Sequence, residues 1–181
     1  LFYFALSRFD ARESAAGEIP DLEEQDRSKW DRRLVSLAFS HLRRSRSSGK
    51  ARRYHLEAAI SSVHAAAESF EETDWEKICF YYDRLVKIDE SPVVLIGRAI
   101  AVGHAKGFGK GLELLNEENV SGLLQGYRHY HAARGYLYSR LGEFGAALKE
   151  YKKAMEKTDS TVEKTFFTGR VEACLRKCGD G

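Results

Sequence analysis

Apolar residues recur at three- and four-residue steps over most of the chain, and the elements this predicts are helices. Leu34, Leu37 and His41 or Leu42 follow Trp30 at i+4, i+7 and i+11 or i+12, which makes one buried face of a helix capped by Ser28 with Asp31 three residues on. Leu56, Ile60, Val63 and Ala67 keep the same spacing in an alanine-rich helix from Tyr54 to Phe70, and Thr73 or Asp74 caps the next one. A last helix is expected over Thr161–Lys177, with Phe167, Val171, Cys174 and Cys178 on one face. Residues 1–27 read as a short apolar helix and a polar connector, Glu13 to Asp26, carrying Gly17 and Pro20. The expected parts are 1–27, 28–58 and 59–178, the last two packing as one compact unit.

An internal repeat organises these helices. Ile78–Asp89 aligns with Ala147–Thr158 so that Tyr82 meets Tyr151, 69 residues on, close to twice the roughly 34-residue tetratricopeptide period. Gly107 and Gly142, 35 apart, stand where the two helices of such a repeat turn. The fullest unit carries Gly135, Tyr138, Gly142, Ala147, Tyr151 and Ala154. Small residues there let antiparallel helices approach, tyrosines fill the space between repeats, and Gly142 permits the turn. A middle unit, 93–126, keeps Ala99 and Gly107 but has a short second helix, Gly109 to Asn116, and a loop over Glu117–Ser121. The first unit, about 59–92, has Ala65–Ala67 at the close contact and ends at Ser91–Pro92. The expected fold is all-α, with about three tetratricopeptide-like hairpins, the middle one degenerate, between N-terminal helices and a C-terminal capping helix.

Composition supports helices and narrows the chemistry. Two prolines in 181 residues leave long stretches unbroken, and 43% hydrophobic with 31% charged residues excludes a disordered chain. Lys plus Arg is 29 against 27 Asp plus Glu, so a net charge of +2 supplies no global field for gripping nucleic acid. The 3 cysteines lack paired spacing, which argues against a disulfide-stapled secreted fold. Charges interrupt every hydrophobic stretch before the roughly 18 residues of a membrane span. The opening Leu1–Leu6 has no basic region of the kind that precedes a signal segment. A cytoplasmic location with no membrane contact is the expectation, and a start at Leu rather than Met suits a piece of a longer protein.

No catalytic, cofactor or metal site is expected. Cys174 and Cys178 have no third ligand nearby in sequence, and His129 and His131 diverge on a helix. His41, His55, His64 and His104 stand alone. In Gly107-Phe108-Gly109-Lys110-Gly111, five residues separate Gly103 from Gly109 where a phosphate loop has four, and Gly111 replaces the hydroxyl that binds magnesium. Arg43, Arg44, Arg46, Lys50, Arg52 and Arg53 form a basic run broken by Ser47, Ser48 and Gly49, which reads as a solvated inter-helix loop.

Five stretches together resemble a known family. They are Glu24-Gln25-Asp26-Arg27-Ser28-Lys29-Trp30-Asp31, Tyr54–Ile60 with His64-Ala65, and Thr73-Asp74-Trp75 with Ile78 and Tyr82-Asp83. Ser91-Pro92-Val93-Val94 with Arg98-Ala99, and Tyr130-His131-Ala132-Ala133-Arg134, complete the set. In this order, over nearly the whole chain, they resemble the C-terminal extension of a subgroup of extracytoplasmic-function RNA polymerase sigma factors. In that subgroup a tetratricopeptide-like domain follows the DNA- and polymerase-binding regions. Glu24 and Gly97 depart from the Asp and Asn typical there. The resemblance implies a part in bacterial transcription initiation, through contacts with the protein's own sigma regions or with core RNA polymerase, and DNA only through the full-length protein. The groove expected to make those contacts is lined by Asp26, Trp30, His64, Tyr82, Arg98, His131 and Arg134. The alternatives are a stand-alone tetratricopeptide adaptor that binds a peptide carboxylate, and a helical pocket sensing a small molecule.

Overall fold

A computed structural model describes residues 1–12, 20–45 and 52–179, and among them the backbone forms ten α-helices, two 3₁₀ turns and no strand. Half of the connector, residues 13–19, and the Arg46–Lys50 portion of the basic run lie outside the described residues. Contacts divide the chain into two compact units, Leu1–Asp89 and Glu90–Gly181. The division follows the helix ends. The fourth helix stops at Leu85, and the next restarts at Pro92, whose fixed φ and missing N–H suit a first helical position.

The first unit holds α1 (Phe2–Leu6), α2 (Arg32–Ser45), α3 (Arg53–Ala66) and α4 (Trp75–Leu85). Behind α1, the Asp31 N–H donates to the Ser7 carbonyl at 2.8 Å, which ties the first helix to the start of α2. Ser28 is not the helix cap. It lies in a 3₁₀ turn, Arg27–Lys29, whose cap is Asp26, accepting from the Ser28 N–H at 2.9 Å. Asp31 caps α2 instead, its Oδ1 accepting from the N–H groups of Arg33 and Leu34. The buried face of α2 is Val35 and Ala38 with Leu42 packed beside them, one residue round from the expected one, and Leu37 is exposed. Both sets satisfy a 3.6-residue period, so spacing alone does not choose between them. Helix α3 buries Leu56, Ile60 and Val63 as the pattern predicts, and Ala58 and Ala65 besides. It ends before Phe70. Asp74 caps α4, accepting from the Lys77 N–H at 2.9 Å.

The second unit holds α5 (Pro92–Lys106), α6 (Phe108–Asn116), α7 (Glu118–Leu124), α8 (Arg128–Arg140), α9 (Phe144–Glu156) and α10 (Thr161–Gly179). Two hairpins, α5–α6 and α8–α9, reverse at Gly107 (φ 106°) and near Gly142 (φ 78°), conformations that favour glycine. In each hairpin a glycine is also the point of closest approach. A Cβ on Gly135 would lie 2.8 Å from the Tyr151 ring, and one on Gly111 would lie 2.6 Å from the Ala99 carbonyl oxygen. Ile96, Ala99, Leu112, Leu115, Leu124 and Leu137 centre one apolar cluster; Ala147, Tyr151, Ala154, Phe167 and Cys174 form another. Tyr138 packs against both. The loop expected over Glu117–Ser121 is instead the start of α7, which carries the fully buried Leu124 into the first cluster. Cys178 is exposed rather than part of the buried face of α10, because a 19-residue helix outruns the 13-residue α9 it packs on.

Candidate functional site

The hairpin α8–α9 builds a polar site from residues that its helical register brings to one end. Along α8, Tyr130, Arg134 and Tyr138 recur at i, i+4 and i+8, and Arg134 lies with its guanidinium carbon 5.4 Å from the centre of each ring. Along α9, Ala147, Glu150, Tyr151 and Ala154 are all buried, so Glu150 sits in an apolar stripe. A carboxylate there needs partners. His131 Nδ1 is 2.8 Å from Glu150 Oε2, Lys153 Nζ donates to Oε1 at 2.9 Å, and Arg134 Nε lies 3.4 Å from Oε2. The far side of the His131 ring, Nε2, is 3.1 Å from the Gln125 carbonyl. Both ring nitrogens therefore face oxygen atoms. Arg134 also donates to Asn116 Oδ1 and to the Tyr138 hydroxyl. An open recess of about 690 Å³ stands over this cluster, with Tyr130, His131, Arg134 and Glu150 inside it and Lys153 and Lys157 among its lining.

Burial works against ionisation of Glu150, but hydrogen bonds from His131 and Lys153 and the Arg134 charge outweigh it and hold the carboxyl below its ordinary value of 4.5. A carboxyl whose pKa is lower folded than unfolded stabilises the fold above the unfolded value, and that contribution is lost as pH falls through the folded one. The stability lead of the natural chain over Glu150→Gln is therefore expected to shrink as pH falls below about 4.5 and the carboxyl takes up its proton. At pH 7 the lead should be about 2 kcal/mol, below the roughly 3–5 kcal/mol of breaking a fully buried pair, because the Lys153 side chain is 52% exposed. Urea denaturation from pH 3 to 8 reads both quantities.

Of the seven residues expected to line a groove, the structure gathers His131 and Arg134. Arg98 lies half-buried on α5 of the same unit, and Asp26, Trp30, His64 and Tyr82 belong to the first unit. Trp30 is no lining residue. It is 3% exposed, packed with Phe4, Val35 and Ala65, with Arg8 and Arg27 guanidinium carbons 5.3 and 5.2 Å from its ring centre. Asp26 is exposed; the His64 ring packs edge-on against Trp75. Burial, with Glu57 and Cys79 adding to it, pushes the Tyr82 hydroxyl up to about 12. Sequence reasoning missed Glu150, Lys153 and Lys157 at this recess, and the part Arg27 plays in the first unit. Among the described residues no three His, Cys, Asp or Glu side chains gather so as to hold a metal ion, and no helix is long and apolar enough to cross a membrane.

Comparison with known proteins places parts of this chain beside others. Residues 1–46, from α1 through α2, match a family of unknown function, DUF6596. An uncharacterized protein of Rhizobium meliloti (strain 1021) is 34% identical over 166 residues, 92% of this chain. No solved structure matches. The chain spans 39% of the length of the Rhizobium protein it resembles.

Proposed function

We propose that the chain is the C-terminal protein-interaction part of a bacterial RNA polymerase sigma factor of the extracytoplasmic-function kind, built from tetratricopeptide-like hairpins and working in the cytoplasm. The observation that carries this reading is the pair of hairpins α5–α6 and α8–α9, whose turning glycines are 35 residues apart in a chain that resembles that subgroup from Glu24 to Arg134. The greater length of the Rhizobium relative is in keeping with further regions in such a protein. In this reading the module binds its own sigma regions or core polymerase, does no catalysis, and meets DNA only through the rest of the protein.

Asp26 is exposed and Arg98 half-buried, and both are charged. Asp26→Lys combined with Arg98→Glu in the full-length protein is expected to lower promoter-directed transcription about tenfold, the factor that 1.4 kcal/mol of lost contact gives. Unchanged transcription, with the variant folded by circular dichroism, overturns the reading. The reading frame upstream of the Leu1 codon is an independent check. A basic helix-turn-helix pattern there supports a sigma-factor extension, and a start codon there favours a peptide-binding adaptor.

A further inference from the structure

The recess over α8–α9 carries more positive charge than its own carboxylates neutralise. Arg134, Lys153 and Lys157 stand against Glu150 and Glu156, and His131 adds a ring turned towards two acceptors. The deeper charges are already matched to one another. Glu150 is covered by three nitrogens, and the Arg134 fork is committed to Glu150, Asn116 and Tyr138. What remains is at the rim. Lys153 uses one hydrogen on Glu150 and keeps the others, and exposed Lys157, the residue just past the end of α9, lines the recess with it. Two ammonium groups with donors to spare thus border a cavity large enough for side chains.

We propose that this recess takes the carboxylate side chains of an acidic segment of a protein partner. The inference rests on reading the chain as a protein-interaction module, and it names the partner's chemistry. A cationic segment would meet both lysines and find Glu150 already covered, which leaves it the Glu156 carboxylate alone. A phosphate group favours a free bidentate guanidinium, and the Arg134 fork is occupied. Separate ammonium point charges suit separate carboxylates. Glu150 then acts as an internal competitor: it holds His131, Arg134 and Lys153 in place while drawing on the charge that an incoming carboxylate would use.

The test is fluorescence anisotropy of a labelled hexaglutamate peptide with the chain of residues 1–181 and its variants. Lys153→Glu with Lys157→Glu is expected to weaken binding about tenfold or more, whereas Lys110→Glu with Lys164→Glu, the same charge change at exposed positions away from the recess, should weaken it less than about twofold. Glu150→Gln, which removes the competing charge and keeps the shape, is expected to strengthen binding about threefold. A role for Glu150 in folding alone would not produce that gain. Equal weakening by the two lysine pairs, no peptide binding, or full displacement by millimolar inorganic phosphate each overturns the proposal. Peptide binding that fails while transcription still depends on Asp26 and Arg98 removes the recess assignment and leaves the functional reading; the reverse result removes the functional reading and leaves the recess.

Discussion

Arg27→Ala is expected to destabilise the first unit by about 3–5 kcal/mol, the cost of leaving several buried polar groups without a charged partner. Arg27 is 5% exposed, and its guanidinium donates to the His64 carbonyl at 2.8 Å, the Ala67 carbonyl at 3.0 Å and the Thr73 hydroxyl at 3.0 Å. Helix α3 ends at Ala66, so His64 offers one of the last carbonyls that no intrahelical N–H reaches. Arg27, 37 residues earlier in the chain, closes that helix end and fastens the segment between α3 and α4. A cation there also meets the negative end of the helix dipole. Burial lowers its pKa, Arg32 adds to this, and Glu71 and Glu72 oppose it; the group stays charged at neutral pH. Arg27→Lys should recover less than half of the loss, because an ammonium lacks the planar fork that spans three acceptors. Thr73→Val, which removes one arm, should cost about 1 kcal/mol. Hydrogen exchange over residues 64–73 together with urea denaturation measures these effects; protected amides there in Arg27→Ala would show that the loop closes without the arginine.

In the second unit Gly111→Ala is expected to be strongly destabilising. A Cβ at that point would stand 2.6 Å from the Ala99 carbonyl oxygen, 3.2 Å from the Gly103 Cα and 3.2 Å from a Leu137 methyl. Two of those three atoms are backbone, and α5 cannot retreat without parting from Leu137 on α8, so no flexible side chain absorbs the clash. Overpacking of this kind costs about 3 kcal/mol and outweighs the roughly 1 kcal/mol that alanine gains over glycine inside a helix, for a net loss of about 2 kcal/mol. Gly169→Ala in α10 is the matched comparison. Nothing lies within 4 Å of a Cβ there and the position is exposed, so the same substitution should stabilise by about 0.5–1 kcal/mol. Chemical denaturation of the two variants should give opposite signs; a Gly111→Ala chain as stable as the parent would mean the hairpin opens more readily than its packing implies.

Much of the helical layout was legible because the residues that start and stop helices act locally. Pro92, Asp74, Gly107 and Gly142 mark ends that follow from φ restriction, side-chain capping or positive φ, none of which needs a distant neighbour. The buried side of α2 was not legible, because Leu34–Leu37 and Val35–Ala38 fit the period equally and Trp30 and Ala65 decide between them in space. Trp30 reads as a binding aromatic only until Arg8 and Arg27 are seen to cover it. Glu150 was hidden differently. In Leu148-Lys149-Glu150-Tyr151-Lys152-Lys153 it looks like one charge on a solvated face, and its partner His131 is 19 residues away. A signal was present all the same: Glu150 stands three residues after Ala147 and four before Ala154, on the stripe where a charge must be paired. Arg27 left no such trace, since its three acceptors lie 37 to 46 residues on.

Both tryptophans of the chain, Trp30 and Trp75, belong to the first unit. Their surroundings differ: one indole has two guanidinium groups near its ring, and the other meets the rings of His64 and Phe70. Emission excited at the indole band therefore watches residues 1–89 alone, while ellipticity in the far ultraviolet sums the helices of both units. Followed side by side during unfolding, coincident curves would mark a single cooperative molecule, and separated ones would give each half its own midpoint without a label or a cut in the chain.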